Sequence, residues 1–301
     1  MNLTNDGGQT PLHIICQNNK SYTYFYTLSD RVGEETFIKI TEDLNQPVQV
    51  DARDKLGRTP LQWAVANLFP RIVDWLLDHG ADLSSFVLLP EDDFTARFDP
   101  NEDNSSYFKL GIASGALTIL ESLEKRGYQV DDYALIIMKI FSRLSLFKKS
   151  TYVQTRWYDE EEFASLAKQW NVLPRIEYDE KIWGFELERE MNEIAMTPSM
   201  SFYDLILLRP EEAAQILTYR DYSDIDSLTR CRRVPRNYYE DVMLHLYEKV
   251  LRGFFRRWAL DYFYELIRYR LPILCCEKII DQLMNEDLCN ICFAATGQDP
   301  Y

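Results

Sequence analysis

The sequence predicts an all-α protein in which a short stack of helix pairs with insertions precedes a second helical region. Three observations carry that expectation. A six-residue signature recurs, Gly8-Gln9-Thr10-Pro11-Leu12-His13 and Gly57-Arg58-Thr59-Pro60-Leu61-Gln62, and self-similarity of this kind marks a stacked-repeat architecture. Apolar residues in the C-terminal half recur at helical spacing, as in Val242, Leu246, Val250, Phe254, Trp258, Tyr262 and Leu266. No apolar–polar alternation bounded by Asn-Gly or Asp-Gly turns is visible, so no sheet is expected.

The second signature explains itself physically. Gly57 suits a tight turn. Thr59 can cap a helix whose first position is Pro60, where a missing N–H costs nothing. Leu61 and Ala64 face inward, and Ile72, Val73, Leu76 and Leu77 line a second helix ended by Gly80. Helices are therefore expected near 61–67 and 70–79. His13, and Gln62 at the matching place, are hydrogen-bonding residues rather than catalytic ones.

These residues resemble the opening of an ankyrin repeat, and the resemblance implies stacked helix pairs that bind proteins through their inner face and hairpin tips. A degenerate third copy is expected around Ser106–Lys109, with Gly111, Gly115, Ile119, Leu120, Leu123 and Gly127 in register and helices near 107–114 and 117–126. The copies are roughly 15 residues further apart than the usual 33 or so of the family. The excess falls in 29–46 and in an acidic stretch near 84–105, which is expected to be an exposed loop. Residues 133–146 form a further helix. This divides the chain into an ankyrin region at 1–148, a connector at 149–200 holding an amphipathic helix at 159–170, and a helical domain at 201–301.

Within the last region, Ser201-Phe202-Tyr203-Asp204 has capping-box spacing, Pro210-Glu211-Glu212 opens a helix, and 237–268 is one long helix apolar on several sides. Beyond it run Leu271-Pro272, Ile279-Ile280, Leu283, Asp287-Leu288 and Ile291. This spacing resembles an F-box. Leu274 stands where that family carries a Glu, and with the chain ending at Tyr301 a third F-box helix is expected to be truncated or absent. Ankyrin repeats followed by such a segment resemble the PRANC proteins of poxviruses and parasitoid wasps. The resemblance implies an adaptor with an unknown protein target on its repeats. It also implies a Skp-type adaptor and cullin ubiquitin ligase docked at Leu271, Pro272, Ile279, Ile280, Leu283, Asp287, Leu288 and Ile291. The alternative is an ankyrin decoy that sequesters a factor without a ligase, its C-terminal helices only capping the stack.

Composition excludes other classes. With 33 Lys and Arg against 48 Asp and Glu, the net charge is −15, a poor match to nucleic acid, which needs clustered cations. No apolar run approaches the roughly 20 residues of a membrane helix, and the first six residues suggest no secretory leader. Six Cys then read as reduced thiols in the cytoplasm or nucleus. Cys275, Cys276, Cys289 and Cys292 admit a zinc reading, but adjacent Cys diverge by about 100° on a helix, and burial as small apolar residues is preferred. Arg230, Arg232, Arg233, Arg236, Arg252, Arg256 and Arg257 are expected to pair with nearby acids such as Glu240, Asp241, Glu248 and Asp261. There is no phosphate loop, nucleophile elbow or metalloprotease motif. Neither enzymatic activity nor a cofactor is expected.

Overall fold

The computed structural model describes residues 3–17, 39, 48–95, 106–147, 195–197, 200–222 and 236–298. The helix expected at 159–170 lies outside the described residues. The chain divides into two units, Met1–Leu144 and Ser145–Tyr301.

The first unit runs α1 (Pro11–Gln17), α2 (Pro60–Ala66), α3 (Pro70–Asp78), α4 (Glu91–Thr95), α5 (Ser106–Lys125) and α6 (Asp131–Arg143). The expected pair α2–α3 forms. Thr59 Oγ1 accepts from the Gln62 N–H at 3.3 Å, and Gln62 Oε1 accepts from the Thr59 N–H at 2.8 Å, so two orphan donors are satisfied reciprocally. Leu61, Ile72 and Leu76 are fully buried between the pair and its neighbours. Leu68, in the link between α2 and α3, holds a left-handed φ of 55°, and its burial in the core offsets a strain of about 1–2 kcal/mol.

The expected second pair does not form. Residues 106–125 are one continuous helix, which packs on α3 and α6. Gly115 lies inside it, not in a turn. A Cβ there would sit 3.4 Å from the Leu68 carbonyl oxygen, so this glycine serves close packing of α5 against the α2–α3 link. The helix is tied to α3 by Ser122 Oγ donating to Asp74 at 2.6 Å and by Arg126 pairing with Asp74 and Asp78. The acidic stretch is not simply an exposed loop over its described residues. Its start is α4, with Phe94 fully buried, Asp93 paired with Arg58 at 3.2 Å and Glu91 with Lys139 at 2.6 Å.

The second unit contains β1 (Ala195–Thr197), β2 (Met200–Ser201), α7 (Phe202–Leu207), α8 (Pro210–Ile216), α9 (Arg236–Leu266), α10 (Ile273–Gln282) and α11 (Asn285–Thr296). The two strands form a short antiparallel ribbon, too short to betray itself by alternation. The long helix is the axis of this unit: α7, α8, α10 and α11 all pack against it. Its buried stripe includes Leu246, Val250, Leu251 and Phe255.

Cations on the long helix, Arg252 buried among them, tie the second unit together. Arg252 donates to the carbonyls of Leu283, Ile280 and Asp281, closing the C-terminus of α10, and approaches Glu211 at 3.6 Å. Arg256 pairs with Asp281 at 2.7 Å. The Arg257 guanidinium lies over the Trp258 ring, 5.6 Å from its centroid. Glu211 and Asp281, both distant in sequence from the long helix, are among the acids that engage Arg252 and Arg256. Arg230, Arg232 and Arg233 lie outside the described residues.

His245 and Lys249 share one buried face of α9. Burial, helped by the nearby Lys249 charge, pulls His245 from 6.5 to about 3; burial also pulls Lys249 from 10.5 to about 8, against the opposing pull of Glu248 and Glu211.

Two outcomes follow from this packing. Leu76→Ala should cost about 2–5 kcal/mol, read as a lowered denaturant midpoint; an unchanged midpoint would mean that the residue is not in the core. His245 stays neutral in the fold while the unfolded chain binds a proton below pH 6.5. Stability should therefore fall as pH drops from 6.5 towards 3, by up to about 1.4 kcal/mol per pH unit from this group. Comparing wild type with His245→Phe across pH 6.5–4.5 checks it: identical pH slopes would exclude the histidine.

Candidate protein-interaction surfaces

The surface of the first unit is built on stacked turns. Asn5 and Asp54 occupy equivalent places. Asn5 Oδ1 accepts from the Gly7 and Gln9 N–H groups, each at 2.9 Å, and Asp54 Oδ1 accepts from those of Leu56 and Arg58, each at 2.9 Å. Each side chain so shapes a loop that Gly8 (φ 74°) or Gly57 (φ 77°) completes. The first turn lies on the second, with Lys55 N–H donating to the Gly7 carbonyl at 2.9 Å.

A longer-range bond locks each repeat to the next. His13, fully buried, accepts at Nδ1 from the Thr10 N–H at 3.2 Å, which leaves Nε2 to donate to the Arg58 carbonyl at 3.0 Å. Gln62 repeats the device, with Nε2 donating to the Val87 carbonyl at 2.7 Å. The equivalence expected between His13 and Gln62 is therefore a shared job. It also places the third turn near Val87, well before Ser106. A family model described as ankyrin repeats, three copies, matches residues 1–87.

The N-terminal region consists of ankyrin repeats.

No curated protein and no solved structure matches the chain. Two apolar side chains of the ankyrin region are exposed: Leu56, directly before the turn glycine Gly57, is 74% exposed, and Val87, whose carbonyl accepts the Gln62 bond, 66%. Sequence reading passed over both. An apolar residue directly before the turn glycine, Leu56 before Gly57, was the available signal. Beside them, Asp82 Oδ1 accepts from the Ser84 N–H at 2.9 Å; hydrogen bonds from Ser84 and Ser85 hold this carboxyl down near 2.

In the second unit the residues expected to dock a partner separate into two groups. Leu271 and Ile279, both 39% exposed, and Pro272 are at the surface, while Ile280 and Leu288 are fully buried against the rest of the unit. Leu283 and Ile291 are half-buried. Asp287 is a helix cap, accepting from the Met284 N–H at 3.1 Å. Pro272 is the N-cap of α10 rather than its first helical residue. The surface extends to Ile273 and Leu274, neither of them expected as an anchor, the latter 67% exposed.

Of the cysteines, Cys275 is exposed and Cys276, Cys289 and Cys292 are buried. Burial pushes the Cys289 thiol far up and Cys292 to about 12, which disfavours the thiolate that zinc needs. Among the described residues no group of three or more His, Cys, Asp or Glu could hold a metal, and no helix is long and apolar enough to cross a membrane.

The latch makes a discriminating prediction. His13→Gln should be tolerated, since Gln62 performs the same role. His13→Ala should cost about 1–3 kcal/mol by stranding the buried polar groups it serves. Equal thermal midpoints for the two variants would show that the bond to Arg58 contributes nothing.

Proposed function

We propose that the chain is a two-sided adaptor, in which the ankyrin repeats hold a target protein and the corner between α9 and α10 docks a Skp-type adaptor of a cullin ubiquitin ligase. The observation that carries this reading is that each unit displays exposed apolar side chains, Leu56 and Val87 in the first, and Leu271, Ile273, Leu274 and Ile279 around the start of α10 in the second. Exposed apolar clusters of this kind mark protein contacts. The ankyrin repeats at 1–87 support the protein-binding half of the reading, and the Leu271-Pro272 spacing supports the ligase half. A groove-binding helix start would use Leu271, Leu274 and Ile279 as anchors, with Ile280, Leu288 and Asp287 holding the helices that present them.

A second reading is a decoy whose C-terminal helices are only structural. The burial of Ile280 and Leu288 favours it, because two of the expected anchors are spent on internal packing.

Truncating buried interface anchors costs about 2 kcal/mol or more each. Leu271→Ala/Leu274→Ala should thus weaken adaptor binding roughly 30-fold or more, while Leu56→Asp/Val87→Asp leaves it unchanged and abolishes target capture. Co-precipitation of Skp-type and cullin subunits with each variant, with folding followed by circular dichroism, tests both halves. Equal cullin recovery from wild type and the Leu271/Leu274 variant, or none from wild type, would leave only the decoy.

A further inference from the structure

The α9–α10 corner is charged as well as apolar. From Arg268 to Cys275 every residue is exposed, and this stretch carries Arg268 and Arg270 directly before Leu271. Lys278, also exposed, lies one helical turn beyond Leu274 on the same face of α10. Among the described residues none of these three cations makes a side-chain hydrogen bond or ion pair, whereas the neighbouring Arg252 and Arg256 are both engaged. Glu265 and Glu277 are the nearest acids in sequence. The chain as a whole carries −15, so three unengaged cations around an apolar cluster run against its general character.

The backbone that presents them is strained. Arg268 and Tyr269 both hold left-handed conformations, φ 53° and 57°, where side-chain-bearing residues pay about 1–2 kcal/mol each. Two glycines would remove that strain. The reversal is held instead by backbone bonds from Arg268 to Glu265 at 2.8 Å and from Tyr269 to Tyr264 at 3.0 Å, and by the edge-on contact of the Tyr264 and Tyr269 rings, 4.7 Å between centroids. Strain kept at an exposed corner is a pointer to function.

We infer that this corner recognises a protein whose apolar groove is rimmed by carboxylates, Arg268, Arg270 and Lys278 meeting the rim while Leu271 and Leu274 enter the groove. The inference rests on the docking reading above and adds the chemistry of the partner. An anionic membrane is the other surface with this complementarity. It is disfavoured by the chain's strongly negative charge and by the narrowness of the strip, since Cys276 and Ile280 of the same helix are buried.

Rim charges act mainly on the association rate and are screened by salt. The test is surface-based kinetics of the full chain against purified Skp-type adaptor at about 0.05 M and about 0.5 M salt, with Lys125→Glu as a charge control and vesicles of mixed phosphatidylserine and phosphatidylcholine as a second probe. Arg268→Glu/Arg270→Glu should slow association about tenfold or more at low salt, with the difference shrinking at high salt, and Lys125→Glu should not. Adaptor binding that is indifferent to salt and to the double reversal would overturn this inference while leaving the docking reading intact. No adaptor binding by wild type would overturn both, and vesicle binding lost in the double variant would assign the corner to a membrane.

Discussion

The N-terminal unit depends on one repeated hydrogen bond. A side chain near the start of a helix, the buried His13 in one repeat and the half-buried Gln62 in the next, reaches the backbone carbonyl of the following turn segment, Arg58 and then Val87. The bond does three things at once. It satisfies a backbone carbonyl of the next repeat, ties that segment to the preceding helix, and sets the spacing between repeats. Because its donor comes from a fixed place in the Thr-Pro-Leu signature, the signature encodes a contact between repeats as well as a helix start. Two different residues fill the role because only a donor of the right reach is required.

The second unit has no such periodic device and relies on a single long helix. Arg252 is almost fully buried on it, and a buried cation is costly unless it is fully hydrogen-bonded. Here it meets the last carbonyls of α10, which are among the groups a helix leaves unsatisfied. The cation and the helix end resolve each other's deficit. Asn285, donating to the Glu248 carbonyl at 3.2 Å, anchors the start of α11 to the same axis. The result fixes α10 so that one face is core and the other is surface.

That division gives the functional reading its form. Ile280 and Leu288 hold the helices in place, and Leu271, Leu274 and Ile279 are left outside. The exposed side is framed by cations and by a strained reversal, and in the ankyrin region Leu56 and Val87 are exposed as well.

Much of the architecture was legible in the residues themselves. Thr59, Pro60 and Gln62 prescribe the start of α2 through local capping chemistry, the apolar spacing of 237–268 prescribes a buried helix, and Pro210 with Glu212 prescribes α8. These are local rules, acting within a turn or two. The residues could not disclose that 106–125 would be a single helix, because Gly115 reads equally as a break and as a close-packing site, and only the α2–α3 link against it selects the latter. Nor could they separate Ile279 from Ile280, adjacent residues of one type, whose fates were set by which side of α10 faces α9. Capping and periodicity are properties of neighbours in the chain, and the sequence by itself determined them; exposure is a property of neighbours in space, and only the tertiary structure decided it.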